Sequence, residues 1–523
     1  MSIGRMAEIV KVFAEEGLGS LTARKGELKL AAGAESSTMT PEALSDRETA
    51  IRLRRVFERL GPTFVKFGQI LATRIDLFSD DFIAELGQLH SKVPPFDHST
   101  ATQIIEEELG RPLSDVFESF PDQPIAAASV AQVYKAKLKT GENVAVKVQR
   151  PNLEESLVRD IQLIVQISGW LDNLLPSYRK SMMHSAAEEY ARSARSEINF
   201  RAEAIAIERF GDILKNDPYF VVPRVFQEFC SEKLVLMDWL DGKKLDQFKN
   251  SAELKAAGGN PKDLSQNLFR LQICMSYEYG QIHGDTHPGN LILLHGGNRI
   301  GLIDFGLNAV VSKFVQNKML EAIMYQSSGQ SERLVDVMVE LTPPANASQT
   351  DAYKNDLRKI VSGWFDQSAS LAHNKISEQT IKGIRVGAKY RNRARPELLV
   401  VMRNLSIVEG IILRFDPDFL PLPAAKKILN DIMKRKLSPT AIKDQVTPML
   451  AELGLAISRK PELAQRLMHL ERSFIDSPSI GDFLRKEKII EQAKNPNSRR
   501  LKDFVLFAVG IALGACLIYF SKV

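Results

Sequence analysis

Between His283 and Gly306 the chain reads HGDTHPGNLILLHGGNRIGLIDFG, a pattern that few folds can hold. An acid, Asp285, is followed five residues on by an amide, Asn290, and then by two apolar runs, Leu291 to Leu294 and Ile300 to Ile303, joined by the turn-forming HGGN. Two runs of strand length across such a turn predict a hairpin. A second acid, Asp304, follows inside Asp-Phe-Gly, so the order is loop, hairpin, loop. Oxygen-bearing side chains of this kind suit a hard cation such as Mg²⁺, which usually takes one or two of them together with phosphates and water. A turn followed by a buried strand would explain Asp-Phe-Gly alone, but not three elements in register.

Asp-x4-Asn, a short hairpin and Asp-Phe-Gly is the protein-kinase arrangement, in which the first acid orients or deprotonates the nucleophile while the amide and the second acid hold magnesium. The upstream chain is similar. After Pro121 the texture turns to strand, and Ala126-Ala127-Ala128-Ser129 stands where a kinase carries its glycine-rich phosphate loop, ahead of Val133-Tyr134-Lys135-Ala136. In Val144 to Val148, period-two geometry puts Ala145 and Lys147 on one face and the three valines on the other. Lys147 beside a small residue leaves room for a flat ring next to an ammonium, and the strand resembles the kinase Val-Ala-Ile-Lys. A surface strand with a solvated lysine is the competing and weaker reading of this stretch alone. Phe200, Glu203, Ile207 and Phe210 fall on one helical stripe, and an acid on an apolar stripe needs a cation. Lys147 is the obvious one. Glu197 lies about 120° round the same helix. Val221 to Phe229 and Leu234 to Trp239 read as strands, after which Asp238-Trp239-Leu240 would join two lobes and offer backbone groups to an adenine edge.

The N-terminal part reads as helices. Thr40-Pro41-Glu42 is a helix start, Gly61-Pro62 is a stop, and Ser79 is the cap of a helix that ends before Pro94-Pro95. Lys66-Phe67-Gly68-Gln69 lies on the helix between. Gly68 weakens that helix by about 1 kcal/mol relative to Ala. Either a close approach by another backbone or simple tolerance accounts for it. At the other end, Phe504 to Phe520 runs seventeen residues without charge or proline, against the roughly 17 to 25 that cross a bilayer. Arg499, Arg500 and Lys502 precede it and only Lys522 follows, which would keep the body on the cytoplasmic side. Gly510 and Gly514 make a small-xxx-small face for another helix. A buried hairpin helix is the competing reading. A formal charge of +5 on 523 residues, without a basic run, argues against a nucleic-acid partner. Cys230, Cys274 and Cys516 form no CxxC pair. His283 and His287 flank Asp285, but no third ligand stands near to make a zinc site.

Together these residues resemble the UbiB family of atypical kinases associated with ubiquinone biosynthesis, over roughly residues 60–310. GPTFVKFGQILATR looks like the KxGQ signature of that family, and the alanine run like its replacement for the glycine loop. The resemblance implies an α+β, kinase-like bilobal fold, with Lys66, Gly68 and Gln69 folded over the active site. It implies that Glu197 faces that motif, Glu203 pairs with Lys147, Asp285 is catalytic, and Asn290 and Asp304 hold Mg²⁺ beside ATP or ADP. Ala126 to Ser129, Val133, Ala145, Lys147, Asp238 and Leu240 would surround the nucleotide. Two departures stand out. The Glu-x-Asp of the family is Glu197-Ile198-Asn199 here, and Thr286 occupies a proline position after Asp285. An alanine turn adopts positive φ less readily than glycine, so it should drape less closely over a triphosphate.

These expectations divide the chain into an N-terminal helical extension (1–115), an N-lobe with inserted helices (116–240), a C-lobe core (241–330), a helical extension (331–500) and a transmembrane helix (504–520). The activity implied is that of a kinase or ATPase at the bacterial inner membrane, anchored by one C-terminal helix. It would act on or present membrane lipids or polyprenyl quinone intermediates, with quinone-biosynthesis enzymes and a second copy of the chain as partners. A non-catalytic nucleotide-binding scaffold and a protein kinase with a dedicated partner are the alternatives.

Overall fold

A computed structural model describes residues 3–18, 47–72, 78–89, 94–128, 130–171, 184, 187–188, 190–191, 198–297, 299–392, 394–436 and 438. The chain divides into two compact units, Met1–Asn430 and Asp431–Val523. The three sheets found among the described residues lie in the first. Ser129, Glu197 and the whole of Phe504 to Phe520 fall outside the described residues. Among the described residues no helix is long and apolar enough to cross a membrane.

The N-terminal helices are α1 (Ile3–Glu15), α2 (Arg47–Leu60), α3 (Pro62–Leu71) and α4 (Asp80–Leu86). Helix α2 buries Ala50, Leu53, Val56, Phe57 and Leu60, a three-and-four stripe that excludes its arginines. Ser79 caps α4 by accepting from the Phe82 amide. Gly68 answers a side-chain demand, not the backbone approach considered above. A Cβ there would come within 2.3 Å of Leu89 Cδ1 and 2.6 Å of Phe57 Cδ2. Helix α5 (His98–Leu109) leads into the sheet, and α6 (Leu153–Leu171) packs back on the N-terminal helices through Leu157, Ile161, Ile164 and Ile167.

The first sheet is antiparallel, in the order β1 (Phe117–Ser119), β3 (Ala131–Leu138), β4 (Asn143–Gln149), β6 (Leu234–Asp238), with β2 (Ala126–Ala127) also pairing β3, at Gln132 and Val133. Alternation decides its two faces. Val144, Val146 and Val148 join Tyr134, Leu234 and Leu236 in a core closed by Ala101 and Ile105 of α5. The opposite face carries Val133 opposite Lys147 and Ala145 opposite Met237. Helix α7 (Phe200–Leu214) follows, capped by Asn199, whose side chain accepts from the Ala202 amide. The residue that departs from the family acid therefore retains a helix-capping oxygen.

The expected strand from Val221 to Phe229 is cut short. Strand β5 holds only Phe220 and Val221, and residues Gln227–Phe229 form a 3₁₀ turn. Pro223 supplies no N–H for a ladder, so pairing stops before it. The second sheet runs β5, β10 (Ile300–Leu302), β9 (Leu291–Leu294), β7 (Gly242–Lys244), with β5 and β10 parallel. The expected hairpin is β9 and β10, registered Ile300 to Leu293 and Leu302 to Leu291. A third pair joins β8 (Gln281–His283) to β11 (Asn308–Val310) and so ties the two loops of the motif together. The remaining helices used below are α8 (Pro261–Ile273), α9 (Lys313–Ser327), α10 (Ser331–Leu341), α11 (Thr350–Val361), α12 (Ile376–Ala388) and α13 (Pro396–Phe415). Helix α8 packs along α13.

Candidate active site

Lys147 is the centre of the site because strand alternation turns it away from the valine core and toward α7. Its Nζ donates to both carboxylate oxygens of Glu203 at 2.8 Å and to Asp304 Oδ1 at 3.3 Å. The Glu203 side chain is 2% exposed and that of Asp304 51%, so one acid is structural in its surroundings and the other faces the cleft. Burial opposes the ammonium, but the two carboxylates more than reverse it and hold the Lys147 pKa above the ordinary lysine value. Burial pulls the Glu203 carboxyl up, with Lys147 opposing and Asp304 assisting. Asp304 is lowered to about 2, first by Lys147, with Lys66 and His283 adding to the pull against burial. The helix carrying Lys66 therefore delivers its charge to this site. Gln69 on the same helix donates to Leu89 O at 2.9 Å.

The Asp-Phe-Gly turn is held from behind. Asp304 sits at φ 60°, a region Asp tolerates better than most residues but at some cost. The next ring, Phe305, packs 5.2 Å from Phe210 of α7 and 4.9 Å from His283. His283 Nε2 bonds Ile303 O at 3.1 Å, and burial holds its imidazole pKa down despite the nearby acids. Helix α7, strand β8 and the Asp-Phe-Gly turn thus share one aromatic column.

In the loop after β8, Asn290 Nδ2 donates to both the backbone oxygen and Oδ2 of Asp285, each at 3.0 Å. That leaves the side-chain Oδ1 of Asn290 for another partner. The Ile303 amide donates to Asn290 O, which links this loop to the residue before Asp304. His287 accepts from the Gly289 amide and caps the short turn Pro288–Asn290.

The alanine turn is a true strand end, with Ala126 opposite Val133 and Ala127 opposite Gln132. Ala126 to Ala128 all keep negative φ, as an L residue prefers. Arg150 donates to Ala128 O at 2.8 Å and to Pro94 O at 2.8 Å, so the turn is fastened to the segment before α5. Nothing in the motif pointed to Arg150. At the lobe junction the Asp238 amide is spent on Arg224 O and the Trp239 amide on Asn143 O, and the Asp238 carboxylate meets Arg224 at 3.3 Å. Of the expected adenine contacts, these two donors are therefore unavailable. Leu240 packs over Gly301.

Two residues of α13 also reach the loop. Arg403 Nη2 lies 3.8 Å from Asp285 Oδ1, and the buried Asn404 bonds Thr286 and the backbone of His283. The trace they leave in the sequence is a polar pair inside the apolar run LLVVMRNLSIVEGIIL, the same signal that singled out Glu203.

Residues 88–338 match the ABC1 atypical kinase-like domain. The chain is 31% identical over 397 residues to an uncharacterized protein of Synechocystis, covering 74% of this chain and 56% of that one. It is 31% identical over 445 residues to the Arabidopsis thaliana chloroplast protein ACTIVITY OF BC1 COMPLEX KINASE 1, covering 82% and 64%. To a probable protein kinase UbiB of Shewanella baltica it is 28% identical over 470 residues, covering 88% and 84%. The match thus spans little more than half of the Synechocystis protein and most of the Shewanella one.

Proposed function

The chain belongs to the ABC1 and UbiB family of atypical kinase-like proteins, with residues 88–338 as the matching domain, and on that premise we propose that it binds MgATP and transfers or hydrolyses the terminal phosphoryl group. The observation that carries this reading is the meeting of Lys147, Glu203 and Asp304 within 3.3 Å, beside an Asn290 that already orients Asp285.

In this reading Lys147, held by Glu203, meets the non-transferring phosphates. Asp304, a half-exposed carboxylate that shares Lys147 with Glu203, and the side-chain oxygen of Asn290 suit Mg²⁺, which takes such oxygens beside phosphates and water. Bound there, the ion would neutralise charge on the phosphate oxygens. Asp285 accepts the proton of the attacking hydroxyl as its oxygen bonds to the γ-phosphorus. The bridging P–O bond breaks and ADP departs with the electron pair. Water as the nucleophile gives phosphate; an alcohol gives a phosphate ester. Because Ala126 to Ala128 hold negative φ and Arg150 fastens the turn, phosphate contacts from that loop are weakened and turnover is slow unless a ligand adjusts it.

The physiological setting we infer is polyprenyl quinone synthesis at a membrane, by action on or presentation of lipid intermediates. The support is the likeness to a probable protein kinase UbiB and the apolar Phe504 to Phe520 segment with its basic upstream flank. Mg²⁺-dependent ATP hydrolysis by the full chain, with and without liposomes, tests the chemistry, and Asp304→Asn should abolish it. Activity that survives this change overturns the mechanism. Quinone content in a deletion strain complemented with Asp304→Asn tests the setting. Normal quinone levels there would leave a nucleotide-binding scaffold as the better account.

A further inference from the structure

We propose that Asn404 and Arg403 of helix α13 are positioning residues for Asp285, making the helical extension a working part of the catalytic loop. The proposal rests on the phosphoryl-transfer reading above. Asn404 is 1% exposed. Its Oδ1 accepts from Thr286 Oγ1 at 2.9 Å and from the Thr286 amide at 3.3 Å. Its Nδ2 donates to His283 O at 2.6 Å and to Gln272 Oε1 at 3.2 Å. An Asn side chain has two donor hydrogens and two lone pairs, so the group is saturated. Gln272 in turn donates to Ser276 Oγ at 3.0 Å, which carries the network into the π-helical turn Cys274–Tyr279 ahead of β8.

The two gripped residues, His283 and Thr286, bracket Gly284 and Asp285. One side chain therefore fixes the backbone on both sides of the catalytic acid. The carboxylate is addressed separately, with Oδ2 taken by Asn290 at 3.0 Å and Oδ1 lying 3.8 Å from Arg403. Thr286 gains a reason at the same time. A proline there would have neither N–H nor hydroxyl, and Asn404 Oδ1 would lose both of its donors. Thr286 and Asn404 thus act as one device, and a catalytic group displaced by about 1 Å loses on the order of a hundredfold in rate.

The test uses the full chain and the variants Asn404→Leu, Thr286→Val, their double, Arg403→Leu and Arg403→Lys. Three readings are taken: kcat and KM for MgATP, MgADP binding by thermal shift, and amide exchange across 281–290. We expect Asn404→Leu to lower kcat about a hundredfold while KM and MgADP binding stay within roughly twofold. Exchange across 283–290 should rise at least tenfold or so, with α10 and α11 unchanged. Because the partners form one unit, the double variant should be no worse than Asn404→Leu alone. Arg403→Leu should lower kcat about tenfold, and Arg403→Lys should recover part of that loss. Equal losses in turnover and nucleotide binding, or wild-type exchange in the loop, overturn the proposal. If Asn404→Leu fails to fold, Thr286→Val, which removes only a hydroxyl, decides by the same readings. A wild-type chain without MgATP turnover overturns the phosphoryl-transfer reading alone, and the exchange arm then judges the clamp by itself.

Discussion

Replacing Lys147 by Met should cost stability in a way that depends steeply on pH. Glu203, with a side chain 2% exposed, would lose the ammonium that holds both of its oxygens at 2.8 Å. A buried carboxylate without a partner takes up a proton instead of staying ionised. Its ordinary value is 4.5, so keeping it protonated at about pH 7.5 costs at most 1.36 × 3, or about 4 kcal/mol. The sign follows from the raised folded pKa. Such a group contributes its full stability below the unfolded value and loses it as pH rises through the folded one, so the deficit shrinks by about 1.4 kcal/mol per unit on acidification. Glu203→Gln should behave differently, because Lys147 keeps Asp304 at 3.3 Å in a half-exposed position. Its cost is about 1–3 kcal/mol, with little pH dependence. The double variant Lys147→Met with Glu203→Leu should recover to near wild type, as apolar replacements of buried pairs often do. Denaturant midpoints at about pH 5 and about pH 7.5 read all three, with m unchanged as the control. A Lys147→Met deficit equal at both pH values, or a double variant costing the sum of its singles, would refute the reasoning.

Gly68→Ala gains about 1 kcal/mol in helix propensity but drives Cβ into Phe57 and Leu89 at 2.6 and 2.3 Å. Overpacking of about 1–3 kcal/mol should win, and a raised melting temperature would show that those side chains yield. Glu409, buried in α13, accepts from the Ile376 and Ser377 amides at the start of α12, and burial lifts its pKa to about 7. From an ordinary 4.5 to about 7, its proton is worth about 3 kcal/mol, present in acid and lost as pH rises through about 7. Glu409→Gln should therefore gain on wild type by up to that amount between pH 5 and 8, and a gap constant with pH would refute this. Asn199→Ala should cost about 1 kcal/mol by uncapping α7, while Asn199→Asp keeps the cap; equal melting temperatures for the two would count against that role.

Much of the site was legible because its signals are local. Asp285, Asn290 and Asp304 were placed by spacing around a hairpin, and β9 and β10 pair as that hairpin. Alternation in Val144 to Val148 assigned Lys147 its face, and the apolar stripe through Phe200, Glu203 and Phe210 assigned Glu203 its side. Gly68 was legible as an anomaly but not by cause, since Phe57 reaches it from α2 and Leu89 from the segment after α4. The strand expected beyond Val221 failed at Pro223, where a local rule was available and outweighed by the apolar run.

Periods of two and 3.6 residues, capping groups and turn chemistry are properties of a few neighbouring residues, and they suffice to say which side chains share a face. They do not say what will be docked against that face. Asn404 meets Thr286 across 118 positions of sequence, Asp304 meets Lys147 across 157, and the amides of Asp238 and Trp239 are spent on strands and loops elsewhere in the chain. Such partnerships arise when buried polar groups must find hydrogen bonds in a close-packed interior. Packing of helices and sheets, and no local spacing, selects which ones form.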